Sequence, residues 1–241
     1  LPDCATTLHN AAFYNCRKLK KLSVGTAISG IGSDEFMNDS QLEHLIIRGK
    51  DSEATGLPLI LERIAENITV SFCPNSSSSP ESIVFFPEYY EWLDEISPAH
   101  IFSRSIHGEG FRMRKSFENG ILNYRKYDSC LENALTVESP ESLCKIALNR
   151  LRWPSRLEGI FREKYENVIK KYMDTAFTLA VTDQDFPMLQ FICGHFSPDA
   201  SALASAIDLC IEKEWGEGNA FLIEVKHKAF SKKTFDFDLD F

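Results

Sequence analysis

The first third of the chain repeats a pattern of apolar and polar positions at a fixed spacing. Five positions return at a constant shift of 23 with a similar residue type: Phe13, Asn15, Leu19, Leu22 and Val24 return as Phe36, Asn38, Leu42, Leu45 and Ile47. A weaker third copy follows at the same spacing, with Leu59, Ala65, Ile68 and Val70. Chance similarity between two amphipathic stretches rarely gives five matches at one spacing, so this segment is interpreted as a structural repeat.

Each copy ends in a short run whose first and third residues are apolar, which predicts a β-strand. The runs cover residues 22–24, 45–47 and 68–70. Because strand side chains alternate between two faces, the first and third residues of each run point into a core. Stacked in parallel, such strands form a solenoid. The expected fold class is therefore an α/β repeat, with a short solenoid over residues 1–72 followed by a mainly α-helical C-terminal region.

The repeat resembles the leucine-rich repeats of the BspA-like type, which are common in bacteria. The likeness covers residues 8–72 and lies in Ala12, Phe13, Cys16 and Leu19, then in Ile28, Gly30, Ile31 and Gly32, then in Phe36 and Leu42. The third copy departs from this pattern, since Leu59 replaces the Phe and Leu61 replaces the Asn. The resemblance implies a leucine-rich-repeat solenoid of bacterial origin.

The outward positions of the three expected strands form a mixed polar surface. They stack in three rows: Lys21, His44 and Asn67; Ser23, Ile46 and Thr69; Gly25, Arg48 and Ser71. Solenoids present such extended strand faces to partners. We therefore expect a non-catalytic protein–protein interaction scaffold that binds a protein or peptide through Lys21, His44, Ile46, Arg48 and Thr69. The alternative for these residues is an ordinary solvated sheet face.

The middle of the chain begins with a polar, proline-bounded loop at residues 73–80, the expected boundary of the repeats. Residues 83–86 are apolar and predict a short buried strand. Within the connector, residues 73–138, positions 87–137 mix aromatic and charged residues without a regular period, and the role of the connector is not indicated. His107, next to Gly108 and Glu109, is a candidate for acid–base chemistry, although a single histidine near a glycine turn is more often structural.

From residue 139 onward the apolar spacing is helical. Ser139 followed by Pro140 predicts a helix start, and residues 197–199 predict another. Residues 183–192 and 214–223 align at an offset of 31 and loosely resemble the helix pairs of ankyrin repeats. The expected divisions are thus residues 1–72, 73–138, 139–231, and a final segment, 232–241, that is an acidic tail or an edge strand.

The segment around Asp208 also permits a catalytic interpretation. If residues 207–210 and 221–226 formed a hairpin, Asp208, Glu224 and Lys226 would share one face. That arrangement resembles the PD-(D/E)XK nucleases, which implies metal binding by the two carboxylates and a catalytic role for the lysine. The capped helix start upstream favours a helix instead, on which the three side chains are part of a solvated face. A metal-dependent nuclease is the alternative to the scaffold.

The composition of the chain limits the classes of partner that the protein is expected to have. The chain has 241 residues, 44% of them hydrophobic and 25% charged, as in an ordinary globular protein. A net charge of −9 disfavours nucleic-acid binding by bulk electrostatics. No apolar run approaches the ~18 residues of a membrane helix. We therefore expect neither a nucleic-acid partner nor a membrane span, and no cofactor is indicated.

The seven cysteines are widely spaced and include no Cys-x-x-Cys pair, which is typical of reduced thiols. An intracellular location is favoured, and the cell surface is the alternative if an upstream signal was removed. The chain does not begin with Met, and no cap precedes the first copy of the repeat. These two features suggest a cut chain or missing upstream repeats, and the sequence does not decide whether repeats or a signal are missing.

Overall fold

The computed structural model describes residues 1–39, 41–74, 79–96 and 101–230. The chain divides into two units, Leu1–Tyr165 and Glu166–Phe241. The division falls inside a helix and coincides with none of the three boundaries that the sequence suggested, after residues 72, 138 and 231. The final segment, residues 232–241, lies outside the described residues.

Parallel strand pairs open the first unit. β1 (Thr7–Leu8) pairs with β3 (Gly30–Ile31), and β2 (Lys21–Gly25) pairs with β4 (His44–Arg48). Both pairings are parallel, and in both the paired positions differ by 23 in residue number. The strand register therefore agrees with the spacing of apolar residues in the sequence.

We call residues 7–25, with β1 and β2, the first rung and residues 30–48, with β3 and β4, the second rung. The turns of these two rungs have the same backbone conformation at positions 23 residues apart. Ala11 and Asp34 both have positive φ, 57° and 59°, and Asn15 and Asn38 have φ of 63° and 67°. Asparagine tolerates this left-handed conformation better than most residues. The requirement for positive φ explains why asparagine stands at both places.

The third strand continues the sheet in a different register. α1 (Leu57–Leu61) leads to β5 (Ile68–Phe72), which pairs in parallel with β4 and joins His44 to Thr69. The shift between these paired positions is therefore 25 instead of 23. The expected strand rows are wrong at this strand, because Thr69 lies beside His44 and not beside Ile46.

The sheet continues past the proline-bounded loop. β6 (Ser82–Phe86) pairs antiparallel with β5, and the strand order is β2-β4-β5-β6. The strand predicted at residues 83–86 is confirmed. β5 and β6 flank the expected boundary at residues 73–80, and hydrogen bonds of one sheet join them.

The connector contributes a hairpin and several short elements to the first unit. They are β7 (Tyr90–Ile96), β8 (Ile101–His107), α2 (Gly110–Arg114), β9 (Phe117–Glu118), β10 (Ile121–Leu122), α3 (Tyr124–Ser129) and α4 (Leu131–Val137). α5 (Pro140–Arg152) follows and begins as predicted, since the Ser139 side chain accepts a hydrogen bond from the backbone N–H of Ser142 at 3.2 Å.

Two buried arginines of the first unit, Arg150 and Arg114, have close hydrogen-bond partners. The Arg150 guanidinium donates to both carboxylate oxygens of Asp128, at 2.8 and 2.9 Å, and neither side chain is more than 1% exposed. The Tyr165 hydroxyl donates to the same carboxylate at 2.8 Å. The buried Arg114 guanidinium donates to three backbone carbonyls. These partners offset the desolvation of the charges and fix the elements that carry them.

The second unit is helical in its described part. α6 (Gly159–Lys171) crosses into it, and four helices follow: α7 (Met173–Thr182), α8 (Phe186–Phe196), α9 (Ala200–Glu212) and α10 (Gly216–Phe230). Asp199 caps α9, its carboxylate accepting from the N–H of Ala202 at 2.8 Å. Among the described residues, no helix combines the length and the apolar character needed to cross a bilayer.

Two of the helix–helix turns in the second unit are alike. Each contains a left-handed residue, Gln184 with φ 49° and Glu214 with φ 53°. In both turns the N–H of the next residue donates to a carbonyl five positions earlier, at 2.9 Å. Because Gln184 and Glu214 are equivalent, the actual offset is 30, and the offset of 31 expected from the sequence is wrong by one. The ankyrin resemblance itself stays a prediction.

Candidate functional site

The residues that the sequence predicts to contact a partner lie on the outward face of the sheet. Lys21, His44 and Thr69 lie side by side on β2, β4 and β5. The first two are exposed and Thr69 is half-buried. Ile46 is also half-buried and lies between serines of the neighbouring strands. We call Lys21, His44, Ile46 and Thr69 the strand face.

The inward residues of the same strands hold this face in place. Leu22, Val24, Leu45 and Ile47 are no more than 5% exposed. Burying each such side chain contributes about 1.5–3 kcal/mol. The strand face is therefore presented by a packed sheet and not by a mobile loop.

Arg48, the remaining predicted contact residue, is held by partners within the unit. Its Nε donates to Asp3 Oδ1 at 2.7 Å, its Nη1 donates to Ser23 Oγ at 2.6 Å, and its Nη2 donates to the carbonyl of Leu1. The N-terminal amine of Leu1 in turn donates to the carbonyl of Ser23 at 2.7 Å. Arg48 thus links Leu1 and Asp3 to the sheet by hydrogen bonds. Because these partners occupy its guanidinium, we leave Arg48 out of the strand face.

The nuclease alternative requires a β-hairpin of residues 207–210 and 221–226, and this prediction is wrong because both segments are helical. Asp208 lies on α9, and Glu224 and Lys226 lie on α10. Glu224 pairs with Lys228 one helical turn away, and this lysine lowers the pKa of the Glu224 carboxyl. Within the described part of the chain, no group of three His, Cys, Asp or Glu side chains is placed to hold a metal ion.

The β7–β8 hairpin exposes large apolar side chains, a feature that sequence reasoning missed. Its strands pair antiparallel with each other, and they form a two-stranded sheet. Tyr90 is 59% exposed, Trp92 56% and Leu93 65%. The signal available in the sequence was the mixture of aromatic and acidic residues at positions 90–95. It has no core-facing period, because none of the described side chains of the hairpin, at residues 90–95 and 103–107, is buried.

A cleft of about 550 Å³ lies at the base of this hairpin. Its lining comes from the hairpin, from the end of α4 and from the start of α5: Glu88, Tyr90, Ile106, His107, Gly108, Asn133, Val137, Glu138, Ser139 and Ser142. Gly108 has φ of 90°, and a Cβ there would lie 2.7 Å from the carbonyl oxygen of Glu88. Only glycine lets the chain leave the hairpin at this point without strain.

The charged lining of the cleft is acidic. Glu88 and Glu138 contribute carboxylates, and the lining residues include no lysine or arginine. Glu138 accepts a hydrogen bond from the backbone N–H of Glu109 at 2.6 Å. Burial is the main influence on the pKa of Glu138 and raises it. The hydrogen bond from the backbone of Glu109 and the charge of Arg114 lower this pKa in part, whereas the carboxylates of Glu109 and Glu88 raise it, and the net shift is upward.

His107 and Glu109 have separate partners. The His107 ring stacks on Tyr90 with ring centroids 4.9 Å apart, and its Nε2 lies 3.3 Å from Ser105 Oγ. Glu109 is buried, accepts a hydrogen bond from Asn133, and pairs with Arg112 at 3.2 Å. These contacts give each residue a structural role and do not assemble the acid–base pair that the sequence suggested.

No protein-family model, no curated protein and no solved structure matches this chain. The functional inference therefore depends on the geometry and chemistry of the two surfaces described above.

Proposed function

We propose that the protein is a non-catalytic protein–protein interaction scaffold and that it binds a protein or peptide partner through the strand face. The observation that carries this proposal is the side-by-side placement of Lys21, His44 and Thr69 on three parallel strands, with Ile46 next to them. Such a surface offers hydrogen-bond donors and acceptors around an apolar contact, which is the usual composition of a protein interface. The proposal requires no cofactor.

The leucine-rich-repeat assignment of the BspA-like type, with its bacterial origin, is part of the same proposal. The constant shift of 23 between the paired positions of the first two rungs supports it. The repeated positive φ values at equivalent turn positions also support it. In such a scaffold the rigid strands fix the spacing of the contact side chains, so that little conformational entropy is lost on binding.

A peptide-display selection against the immobilised whole protein tests the proposal. Selected peptides are synthesised and their affinities measured for the wild type and for the double variant Lys21→Ala/His44→Ala. We expect the double variant to weaken binding about tenfold or more, as truncation of central contact residues does. Both side chains are exposed, so the variant is expected to keep the fold.

The chain offers a matched control for this experiment. Lys18 and His9 are exposed residues outside the strands. The double variant Lys18→Ala/His9→Ala removes the same two residue types and is expected to bind like the wild type. The proposal is wrong if no peptide is selected, if the strand-face variant binds normally, or if both double variants lose the same affinity.

A further inference from the structure

We propose that the β7–β8 hairpin and the cleft at its base form a second binding site, which takes a basic, extended peptide segment of a partner protein. The site is separate from the strand face, and its occupant is a segment that carries lysine or arginine side chains between small apolar residues. Three features of the hairpin and cleft lead to this assignment.

The first feature is uncovered apolar surface on a thin element. A two-stranded sheet without further cover is marginally stable in water. This hairpin nevertheless exposes more than half of the side-chain surface of Tyr90, Trp92 and Leu93. Tyr90 and Trp92 lie on the same strand face, and neighbouring exposed apolar groups mark interaction sites. A bound segment that covered them would stabilise the hairpin.

The second feature is charge. Asp94 shares the strand face of Tyr90 and Trp92, and Glu88 and Glu138 line the cleft. Glu91 and Glu95 lie on the other face of the hairpin, with Arg104 as the only lysine or arginine among its described side chains. Arg104 pairs with Glu91. The balance of these charged side chains is negative, which complements a cationic partner, whereas the phosphates of a nucleic acid would be repelled.

The third feature is the position of an aromatic ring beside the cleft. One contact of the Tyr90 ring is the stacked imidazole of His107, yet 59% of the Tyr90 side chain stays exposed. An ammonium or guanidinium group beside Glu138 would also reach the open part of this ring, where a cation–π contact adds to the charge attraction. The cation would lie beside the half-buried carboxylate of Glu138 and offset its repulsion by Glu88 and Glu109.

The extended shape of the ligand follows from the spacing of these groups. On β7, Tyr90 and Trp92 lie on the same strand face, two residues apart. An extended peptide repeats its side-chain direction with the same period of two residues. Alternate residues of such a peptide can therefore place a cation at Tyr90 and the next side chain on the same face at Trp92.

Fluorescence anisotropy with three labelled decapeptides tests this proposal on the whole protein. The probes alternate valine with arginine, with citrulline, or with glutamate; citrulline keeps the shape of arginine without its charge. We expect saturable binding of the arginine peptide alone. Equal binding of the arginine and citrulline peptides, or preferential binding of the glutamate peptide, would overturn the proposal.

Variants of the site identify where the arginine peptide binds. Glu88→Gln/Glu138→Gln is expected to weaken its binding about tenfold, as loss of close charge pairs at an interface does. The exposed substitution Trp92→Ser tests the same site without touching the cleft carboxylates, and about fivefold weaker binding is expected from the lost contact area. Glu212→Gln/Glu217→Gln, on the second unit, removes the same net charge and is expected to bind normally.

Unchanged binding of the peptide by both site variants would refute the assignment. Equal losses in Glu88→Gln/Glu138→Gln and in the second-unit control would also refute it, because they would show attraction to the net charge of the protein and not to the cleft. Lys21→Ala/His44→Ala is expected to leave arginine-peptide binding unchanged, so the outcome is independent of the strand face.

Discussion

The rings of Phe13 and Phe36, which occupy equivalent positions of the first two rungs, stack with centroids 5.5 Å apart and planes 8° from parallel. The stack joins the segments of chain that precede β2 and β4. Phe36 is buried and Phe13 is half-buried. The same side chain at the same place in successive rungs is the direct structural counterpart of the sequence repeat.

Removing either ring is expected to destabilise the first unit, and the two single variants are expected to differ in how much. Phe36→Ala is expected to lower the free energy of unfolding by about 3–5 kcal/mol, and Phe13→Ala by less, because only Phe36 is buried. The double variant is expected to fall short of the sum by about 0.5–1.5 kcal/mol, the coupling of an aromatic pair. Urea unfolding measures all three. Tyr14→Ala, at an exposed neighbour, serves as the control, and strict additivity would contradict the stacking.

The buried pair Asp128–Arg150 predicts a large effect from a single truncation. Asp128→Ala leaves the guanidinium of Arg150 buried without its carboxylate, so we expect a loss of about 3–5 kcal/mol in the free energy of unfolding. Tyr165→Phe removes one hydrogen bond to the same carboxylate and is expected to cost about 0.5–1.5 kcal/mol. Chemical denaturation of both variants checks the order. Equal losses would mean that the ion pair is not the dominant partner of Asp128.

Asp39 predicts a dependence of stability on pH. Burial raises the pKa of this carboxyl, and a hydrogen bond from the backbone of Cys16 offsets part of the rise. Since the folded state holds the proton more tightly than the unfolded state, this group favours folding most below its unfolded pKa, and that contribution is lost as the pH rises through the folded pKa.

Asp39→Asn is therefore expected to be more stable than the wild type at pH 7, by about 1 kcal/mol for each unit of pKa rise that it removes. The gain is expected to vanish under acid conditions. Thermal melts across the acid range measure it, with Asp34→Asn, at an exposed site, as the control. A gain that did not change with pH would speak against a titrating Asp39.

The cysteines are expected to differ sharply in reactivity. Burial raises the pKa of the Cys144 and Cys193 thiols to about 12, whereas Cys4 and Cys16 are exposed. Because the thiolate is the reactive form, iodoacetamide at pH 8 is expected to label Cys4 and Cys16 first and the buried pair only after unfolding. Peptide mass spectrometry reads the order. Early labelling of Cys144 in the native protein would contradict its burial.

The first two rungs could be predicted from the sequence because inward apolar residues and turn asparagines repeat together. The register of the third strand, β5, could not be predicted from the sequence. A shift of one residue turns every side chain of a strand to the opposite face, but a shift of two residues keeps the same side chains on the same face. Ile68, Val70 and Phe72 are all buried, so the apolar pattern fits a shift of 23 as well as the actual 25.

The two proposed binding surfaces also differ in how far the sequence predicts them. The strand face could be predicted because its residues alternate with core residues that the sequence marks clearly. The engagement of Arg48 with Asp3 and Ser23 joins distant parts of the chain, which no local pattern shows. None of the described side chains of the β7–β8 hairpin is buried, so its apolar residues show no period that would mark a core-facing side. The cleft beside it depends on the packing of the hairpin near α4 and α5.

The most direct test of binding at the strand face is methyl NMR of the whole protein with labelled isoleucines, titrated with a peptide selected by display. Three isoleucines report on separate surfaces: Ile46 on the strand face, Ile106 at the hairpin cleft and Ile211, 59% exposed, on α9. We expect the Ile46 methyl signal to shift in a saturable manner while those of Ile106 and Ile211 stay in place. A saturable shift of Ile106 or Ile211 with Ile46 unmoved would contradict binding at the strand face.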